Sequence, residues 1–176
     1  RHYSAISDAV DIPIILYNVP TRTGITIAPE TVARLYKEVE HVVGIKDAGG
    51  SLPATLRALN LAGEGLEVYS GDDDVIVPII SLGGLGVISV LSNIAPKQTH
   101  DMCKMALEGD YKGAAKIQIK AEPLIKALFS EVNPIPVKKA LSYMGYKSSY
   151  LRLPLIEMSE DAAKILKKEM QEFGIL

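Results

Sequence analysis

The sequence has little that would point to a secreted, membrane-spanning or nucleic-acid-binding protein. It contains one cysteine, Cys103, which cannot form an internal disulfide, and the helix-like stretch around it favours a buried, inert thiol. No apolar run approaches the roughly 18 residues needed to span a membrane, and the first residues lack the apolar segment of a signal peptide. The formal net charge is −2, so no basic field indicates nucleic acid or an anionic membrane as a partner. A cytoplasmic location is the resulting expectation.

Signals for a metal or a nucleotide cofactor are also missing. His2, His41 and His100 are far apart and have no metal-ligand spacing. The glycine cluster at 83–86 comes before a strand, whereas a dinucleotide fingerprint would follow one. The acidic run at 72–74 is interpreted as a cluster at a helix N-terminus, where carboxylates are favourable. We therefore predict no metal and no nucleotide, which argues against an open dinucleotide-binding sheet.

What the sequence does contain is an alternation of short β-rich segments with amphipathic segments. Strands are predicted at Pro13–Tyr17, Val42–Lys46, Leu66–Ser70 and Gly86–Val90. Helices are predicted at Pro29–Val39, Ser51–Leu61 and Asp74–Leu82, and another from Pro96 to Glu108. Consecutive β-then-α units indicate parallel strands joined by crossover helices. The strands are nearly continuous apolar runs, as is typical when both faces of a sheet are covered.

The pattern changes after Gly109, where only helices are predicted. They span residues 111–129, 136–144 and 161–173, with Asn133–Pro136 as a rigid connector. A complete (β/α)8 barrel takes about 250 residues, so four βα units with a helical tail predict an α/β fold that is half of a barrel. The sequence begins without Met, and Tyr3–Val10 has the pattern of a helix end, so we expect a segment of a longer protein.

Three side chains at predicted carboxyl ends of strands could carry chemistry. Lys46 ends an apolar strand, where poor solvation favours the neutral amine that can attack a ketone and form an imine. Tyr17 ends the previous strand, and a phenol can relay protons. Arg22 follows in the next loop and suits a substrate carboxylate. Each has an ordinary structural explanation when taken alone, but active sites of (β/α)8 barrels lie at this end of the strands, so their co-location predicts a site.

These residues lie in motifs that resemble a known superfamily. The motifs are Tyr17-Asn18-Val19-Pro20-Thr21-Arg22-Thr23-Gly24, Gly44-Ile45-Lys46-Asp47-Ala48, Ser70-Gly71-Asp72-Asp73, Gly86-Val87-Ile88-Ser89-Val90 and Asn133-Pro134-Ile135-Pro136-Val137-Lys138. Together they resemble the dihydrodipicolinate synthase and N-acetylneuraminate lyase superfamily almost from end to end. The arginine and the Asn-Pro-Ile-Pro segment are similar to the dihydrodipicolinate synthases rather than to the neuraminate lyases or the 2-keto-3-deoxy sugar acid aldolases.

The resemblance implies a reaction, its residues and its partners. Lys46 would form an imine with pyruvate, which becomes an enamine and attacks aspartate-4-semialdehyde on the way to lysine and diaminopimelate. Tyr17 would relay protons, Arg22 would hold the semialdehyde carboxylate, and the backbones of Gly71 and Ile88 would contact the pyruvate end. No organic cofactor is implied, because pyruvate is bound covalently as substrate. A homo-oligomer, either a dimer or a tetramer, is the expected assembly.

The resemblance also implies what this sequence does not contain. Residues 1–108 would be barrel strands five to eight with their helices, and residues 109–176 the C-terminal helical region. Strands one to four would supply a threonine pair and a second tyrosine to the site. The alternatives are a sugar-acid lyase of the same superfamily and an inactive half-barrel. In a half-barrel the face that fills a barrel interior would be exposed, and we expect Ile15, Val68 and Ile88 on it.

Overall fold

The fold is described by a computed structural model for residues 1–147 and 150–176. Strands and helices alternate first: α1 (His2–Ser7), β1 (Ile14–Asn18), α2 (Pro20–Thr23), α3 (Pro29–Glu38), β2 (Val42–Asp47), α4 (Leu52–Ala62), β3 (Glu67–Ser70), α5 (Ile76–Ser81) and β4 (Gly86–Val87). Helices then follow: α6 (Pro96–Leu107), α7 (Tyr111–Leu128), α8 (Ile135–Tyr143) and α9 (Glu160–Phe173). The predicted order of βα units followed by helices is confirmed.

Within the described residues, the strands form one parallel sheet in the order β1-β2-β3-β4. The edges of this sheet are therefore β1 and β4. Tyr17, Lys46 and Tyr69 lie side by side in register across the first three strands, and Asn18, Asp47 and Ser70 form the next row. Because successive side chains of a strand point to opposite faces, these two rows lie on opposite sides of the sheet.

The two faces of the sheet differ in their cover. One, the covered face, carries Leu16, Ile45 and Val68, which are at most 3% exposed and pack against buried residues of α3, α4 and α5. The other, the open face, carries Ile15 at 40% and Ile88 at 44% exposure. The prediction for Ile15 and Ile88 is confirmed, whereas the prediction for Val68 is wrong. Val68 pairs with Ile45 and therefore shares its covered face.

Local chemistry explains the helix ends near the carboxyl edge of the sheet. Ser51 caps α4, because its side chain accepts a hydrogen bond from the amide of Ala54 at 3.3 Å. The short helix α2 was not predicted; it begins with Pro20, ends at Thr23 and is followed by Gly24 as its C-cap. Gly24 has a φ of 70°, a left-handed conformation that glycine adopts without steric cost.

The fourth strand is shorter than predicted, since it ends at Val87 and not at Val90. The residues that follow form local hydrogen bonds. The amide of Ser92 donates to Ser89 Oγ at 2.9 Å, and Asn93 Nδ2 donates to the carbonyl of Val90 at 3.0 Å. Such side-chain bonds compete with a strand ladder, so the chain turns into a 3-10 helix at Leu91–Asn93.

Packing divides the chain into two compact units, residues 1–88 and residues 89–176. The first unit contains the sheet with α1 to α5. The second contains α6 to α9 around its own core, in which Leu124, Leu128, Leu166 and Met170 are at most 1% exposed. Because α6 packs on α7, this division falls before the boundary between residues 108 and 109 that the sequence predicted for the end of the barrel. That boundary stays a prediction.

Candidate active site

The open face places Lys46 and Tyr17 side by side at the carboxyl ends of β1 and β2. Their Cα atoms are register partners, and Lys46 Nζ lies 4.0 Å from the centroid of the Tyr17 ring. An amine over an aromatic face is attracted to the electron-rich ring. The Lys46 side chain is half-buried and Tyr17 is 46% exposed. The structure therefore brings together the two residues predicted to be catalytic, with the amine reachable from solvent.

A second phenol lies on the other side of Lys46 in the same row. Tyr69 is its register partner on β3, and the Tyr69 hydroxyl donates to Glu67 Oε2 at 3.2 Å. Partial burial raises the pKa of Tyr69, and the hydrogen bond and charge of Glu67 add to this shift. The Tyr69 hydroxyl thus has an acceptor in a carboxylate two residues earlier on the same strand.

Arg22 lies apart from this pair, exposed in the last turn of α2. Within the described part of the chain, no hydrogen bond or ion pair joins its guanidinium to Tyr17 or Lys46. It follows the strand that carries Tyr17, so it belongs to the same edge of the sheet. Its guanidinium is available for a carboxylate that arrives from solvent.

Gly71 and Ile88 both use their backbone amides within the sheet. The amide of Gly71 donates to the carbonyl of Asp47 at 2.7 Å, and that of Ile88 donates to the carbonyl of Ser70 at 2.9 Å. A Cβ at Gly71 would lie 2.7 Å from the Cβ of Ala48 and 2.9 Å from its amide nitrogen. Close packing against Ala48, which follows β2, is thus by itself a structural reason for a glycine at position 71. A substrate contact from either backbone would use its carbonyl oxygen.

A buried polar cluster beneath Lys46 was not singled out from the sequence. Asp47 is 9% exposed, and its carboxylate accepts hydrogen bonds from Asn18 Nδ2 at 2.9 Å, from the amide of Gly49 at 2.9 Å and from Thr55 Oγ1 at 2.7 Å. The available signal was alternation, because Asn18 and Asp47 follow Leu16 and Ile45 at covered-face positions where apolar residues are expected.

Asp72 adds a second carboxylate to this region. Asp47, Thr55 and Asp72 line one small cavity. Burial raises the pKa of Asp72, and repulsion from Asp47, Asp74 and Asp73 raises it further, while Lys46 acts in the opposite direction. The carboxyl ends of β2 and β3 therefore combine one amine with several acidic groups.

Two further observations concern the described residues as a whole. No three histidine, cysteine, aspartate or glutamate side chains among them are grouped so as to hold a metal ion. None of their helices combines the length and the apolar character that crossing a membrane requires.

Comparison with known proteins places this arrangement in a family. Residues 1–173 match the model of the dihydrodipicolinate synthetase family. The chain belongs to this family. A relative from Lachnoclostridium phytofermentans named 4-hydroxy-tetrahydrodipicolinate synthase is 51% identical over 176 residues, which are all of this chain and 60% of that protein.

Solved structures of the family have the same fold. The dihydrodipicolinate synthase of Thermotoga maritima is 42% identical with a TM-score of 0.96, over 99% of this chain and 60% of that one. The chloride-inhibited enzyme of Acinetobacter baumannii, complexed with pyruvate, is 41% identical with a TM-score of 0.95, over 99% of this chain and 60% of that one.

The chain spans about 60% of the length of the curated relatives it matches. Its parallel sheet, with the helices that follow, corresponds to the C-terminal part of a (β/α)8 barrel. The predicted fold class and the predicted family are confirmed. In such barrels the catalytic groups lie at the carboxyl ends of the strands, which is where Tyr17 and Lys46 lie.

Proposed function

We propose that this chain carries the imine-forming part of an enzyme that condenses pyruvate with aspartate-4-semialdehyde to give 4-hydroxy-tetrahydrodipicolinate. The observation that carries the proposal is Lys46, half-buried at the carboxyl end of β2, with Nζ 4.0 Å from the centre of the Tyr17 ring. A relative named 4-hydroxy-tetrahydrodipicolinate synthase, which is 51% identical over 176 residues, supports the proposal. So does the pyruvate complex of a 41% identical enzyme.

The chemistry follows from the amine. Lys46 Nζ attacks the ketone carbon of pyruvate, and loss of water leaves an imine. A proton then leaves the methyl carbon to give an enamine, whose carbon forms a bond to the aldehyde carbon of the semialdehyde. The amino group of that substrate attacks the imine carbon and displaces the lysine, which closes the ring. No organic cofactor is needed, because the imine nitrogen accepts the electron pair.

The surrounding residues have separate tasks in this proposal. Tyr17 moves protons to and from the reacting atoms beside Lys46. Arg22 binds the carboxylate of the semialdehyde with its planar fork, which a lysine would copy badly. Gly71 and Ile88 contact the pyruvate end through their carbonyl oxygens, since their amides are already bonded. The enzyme acts in the cytoplasm as a homo-oligomer, a dimer or a tetramer.

Trapping tests the role of Lys46. In the full-length protein, pyruvate with borohydride should leave a reduced three-carbon adduct on Lys46, identified by peptide mass spectrometry. Lys46→Arg keeps the positive charge but loses the nucleophilic amine, so it should abolish the adduct. An adduct on Lys138 in place of Lys46, or one that survives in Lys46→Arg, would contradict the proposal.

A second measurement tests the role of Arg22. Arg22→Ala should weaken use of the semialdehyde far more than imine formation with pyruvate, because only the second substrate presents its carboxylate to this side chain. Arg22→Lys should restore little, since it retains charge but not the bidentate fork. An equal fall in both steps would make Arg22 a structural residue.

A further inference from the structure

A buried pair, Asn18 and Asp47, joins the ends of β1 and β2 on the side of the sheet away from Lys46. Asn18 is 5% exposed and Asp47 is 9% exposed. Asn18 Nδ2 donates to Asp47 Oδ1 at 2.9 Å, and the two Cα atoms are register partners. The pair occupies the row that directly follows Tyr17 and Lys46.

Burying this pair at a covered-face position is unfavourable in free energy. Removing a carboxylate from water costs several kcal/mol, which only good geometry and further hydrogen bonds offset. Three donors supply them here: Asn18, the amide of Gly49 and the hydroxyl of Thr55. Apolar residues such as Leu16 and Ile45 fill the preceding positions on the same face at no such cost. The polar pair therefore does more than fill space.

The hydrogen bonds of the pair fix three segments that carry predicted site residues. Asn18 Oδ1 accepts from the amide of Ile27 at 3.0 Å, which anchors the far end of the loop that carries Arg22. Asp47 directly follows Lys46, and its carbonyl accepts from the amide of Gly71 at 2.7 Å. The two polar atoms of the Asn18 side chain thus have different partners: Oδ1 binds the loop of Arg22, and Nδ2 binds Asp47 on the strand of Lys46.

We infer that Asn18 and Asp47 are positioning residues that fix the loop of Arg22 relative to Lys46 and so set the affinity for the second substrate. This inference rests on the proposed function. Asn18 touches neither substrate in this account, and it acts through the loop that ends at Ile27. A shift of about 1 Å in a positioning group can lower the rate on the order of a hundredfold. Loss of the pair should therefore affect the reaction strongly although neither residue touches a substrate.

The pair allows a charge-exchange experiment in the full-length protein. Asn18→Asp places one carboxylate against another and should displace the loop. Asp47→Asn alone can keep every bond of the cluster, because its amide can donate to Thr55 while the hydroxyl of Thr55 donates to the carbonyl of Ser51, which lies 3.2 Å away. In the double variant, the new amide at 47 can donate to the new carboxylate at 18, which still accepts from Ile27, while the amide of Gly49 loses its acceptor.

The readout separates the two substrates. Asn18→Asp should raise KM for the semialdehyde by about tenfold or more, while borohydride trapping of pyruvate on Lys46 proceeds at close to the wild-type rate. The double variant should recover part of the loss, because it removes the repulsion between two carboxylates but not the loss of the bond from Gly49. Asn18→Ala, which deletes both bonds without adding charge, should show the same split and gives a second route if Asn18→Asp does not fold.

Other outcomes would overturn the inference. Equal losses in imine trapping and in semialdehyde use would assign Asn18 a purely structural role. A double variant no better than Asn18→Asp would show that the pair does not act as a unit. If wild-type Lys46 takes up no pyruvate, the proposed function itself fails, and the inference falls with it.

Discussion

The two compact units of this chain bury their apolar side chains in different ways. Residues 89–176 enclose their own core, where Leu124, Leu128, Leu166 and Met170 on α7 and α9 are at most 1% exposed. Residues 1–88 cover one face of their sheet and leave the other with Ile15, Tyr17 and Ile88 at 40 to 46% exposure. The second unit therefore surrounds an enclosed core of helices, whereas the first unit leaves one face of its sheet open.

In the first unit, the residues of the proposed active site and the residues of the core lie on opposite faces of the sheet. In the first unit, the covered face carries the core and the open face carries Lys46, Tyr17 and Tyr69. Barrel interiors are filled by layers of side chains from all strands. The open face is therefore both the surface of the proposed active site and the apolar surface that a complete barrel would bury. In the second unit, the helices bury a common apolar core.

The largest expected effect tests how completely the second unit is closed. Leu128→Ala removes a side chain that is 0% exposed and should lower the free energy of unfolding by about 2–5 kcal/mol. Leu16→Ala, equally buried on the covered face, should fall at the lower end of this range, because a sheet with one free face can relax into the space. Urea unfolding measures both. A larger loss for Leu16→Ala would mean that the first unit is the more rigid of the two.

A smaller effect is expected where the chain after β3 packs closely on the chain after β2. Gly71→Ala puts a methyl group 2.7 Å from the Cβ of Ala48 and 2.9 Å from its amide nitrogen, so it should cost about 1–3 kcal/mol through overpacking. The double variant with Ala48→Gly should recover part of this loss, because it removes the contact with the Cβ and leaves those with the amide nitrogen and the Cα of residue 48. Urea midpoints of the three proteins give the comparison. Full stability of Gly71→Ala alone would show that β2 and β3 can separate freely.

The units also differ in how far their structure could be predicted from the sequence. Continuous apolar runs between helical segments predicted the parallel order of β1 to β4, and the position of Lys46 at a strand end followed from that order. The prediction for the face of Val68 was wrong, because the register that pairs Val68 with Ile45 cannot be seen along a single strand. In the structure Glu67 and Tyr69 lie on the open face, bonded to each other.

Side-chain hydrogen bonds account for most of the remaining differences. The early end of β4 depends on Ser89 and Asn93, whose bonds to nearby backbone replace a strand ladder. The Asn18–Asp47 pair depends on the register between β1 and β2, which periodicity along one strand does not report. The helices of the second unit were predicted to within a residue or two of their ends, because their amphipathic pattern extends over several turns.

A substitution with a smaller effect on stability tests whether the open face causes self-association. Exposed apolar sheet faces and edges favour association, so the 176-residue chain should self-associate in sedimentation velocity. Ile15→Thr keeps a β-branched residue on β1 and should cost at most about 1 kcal/mol, since Ile15 is 40% exposed, yet it should reduce association. Ile119→Thr is the matched control on α7, where Ile119 is 72% exposed. A stable wild-type monomer, or an equal effect of both changes, would remove the special status of the open face.

The smallest effects are electrostatic and should have opposite signs in the two units. Asp101 in the second unit has its pKa lowered, first by the hydrogen bond from Lys97 and then by that charge. A lowered pKa in the folded state contributes stability above the ordinary value of 3.8 and loses it as the pH falls. Asp101→Asn should therefore slightly destabilise the protein near neutral pH and become neutral in acid.

Asp72 in the first unit should behave in the opposite way. Burial, followed by repulsion from Asp47, raises its pKa above 3.8, so the folded chain holds this proton more tightly than the unfolded chain does. The stability from that proton is complete below 3.8 and disappears as the pH rises through the raised pKa. Asp72→Asn should therefore raise the urea midpoint near neutral pH, and the gain should vanish in acid, where wild-type Asp72 is protonated in both states. A loss of stability near neutral pH would show that attraction to Lys46 outweighs burial, and would tie Asp72 to the amine rather than to the acidic cluster.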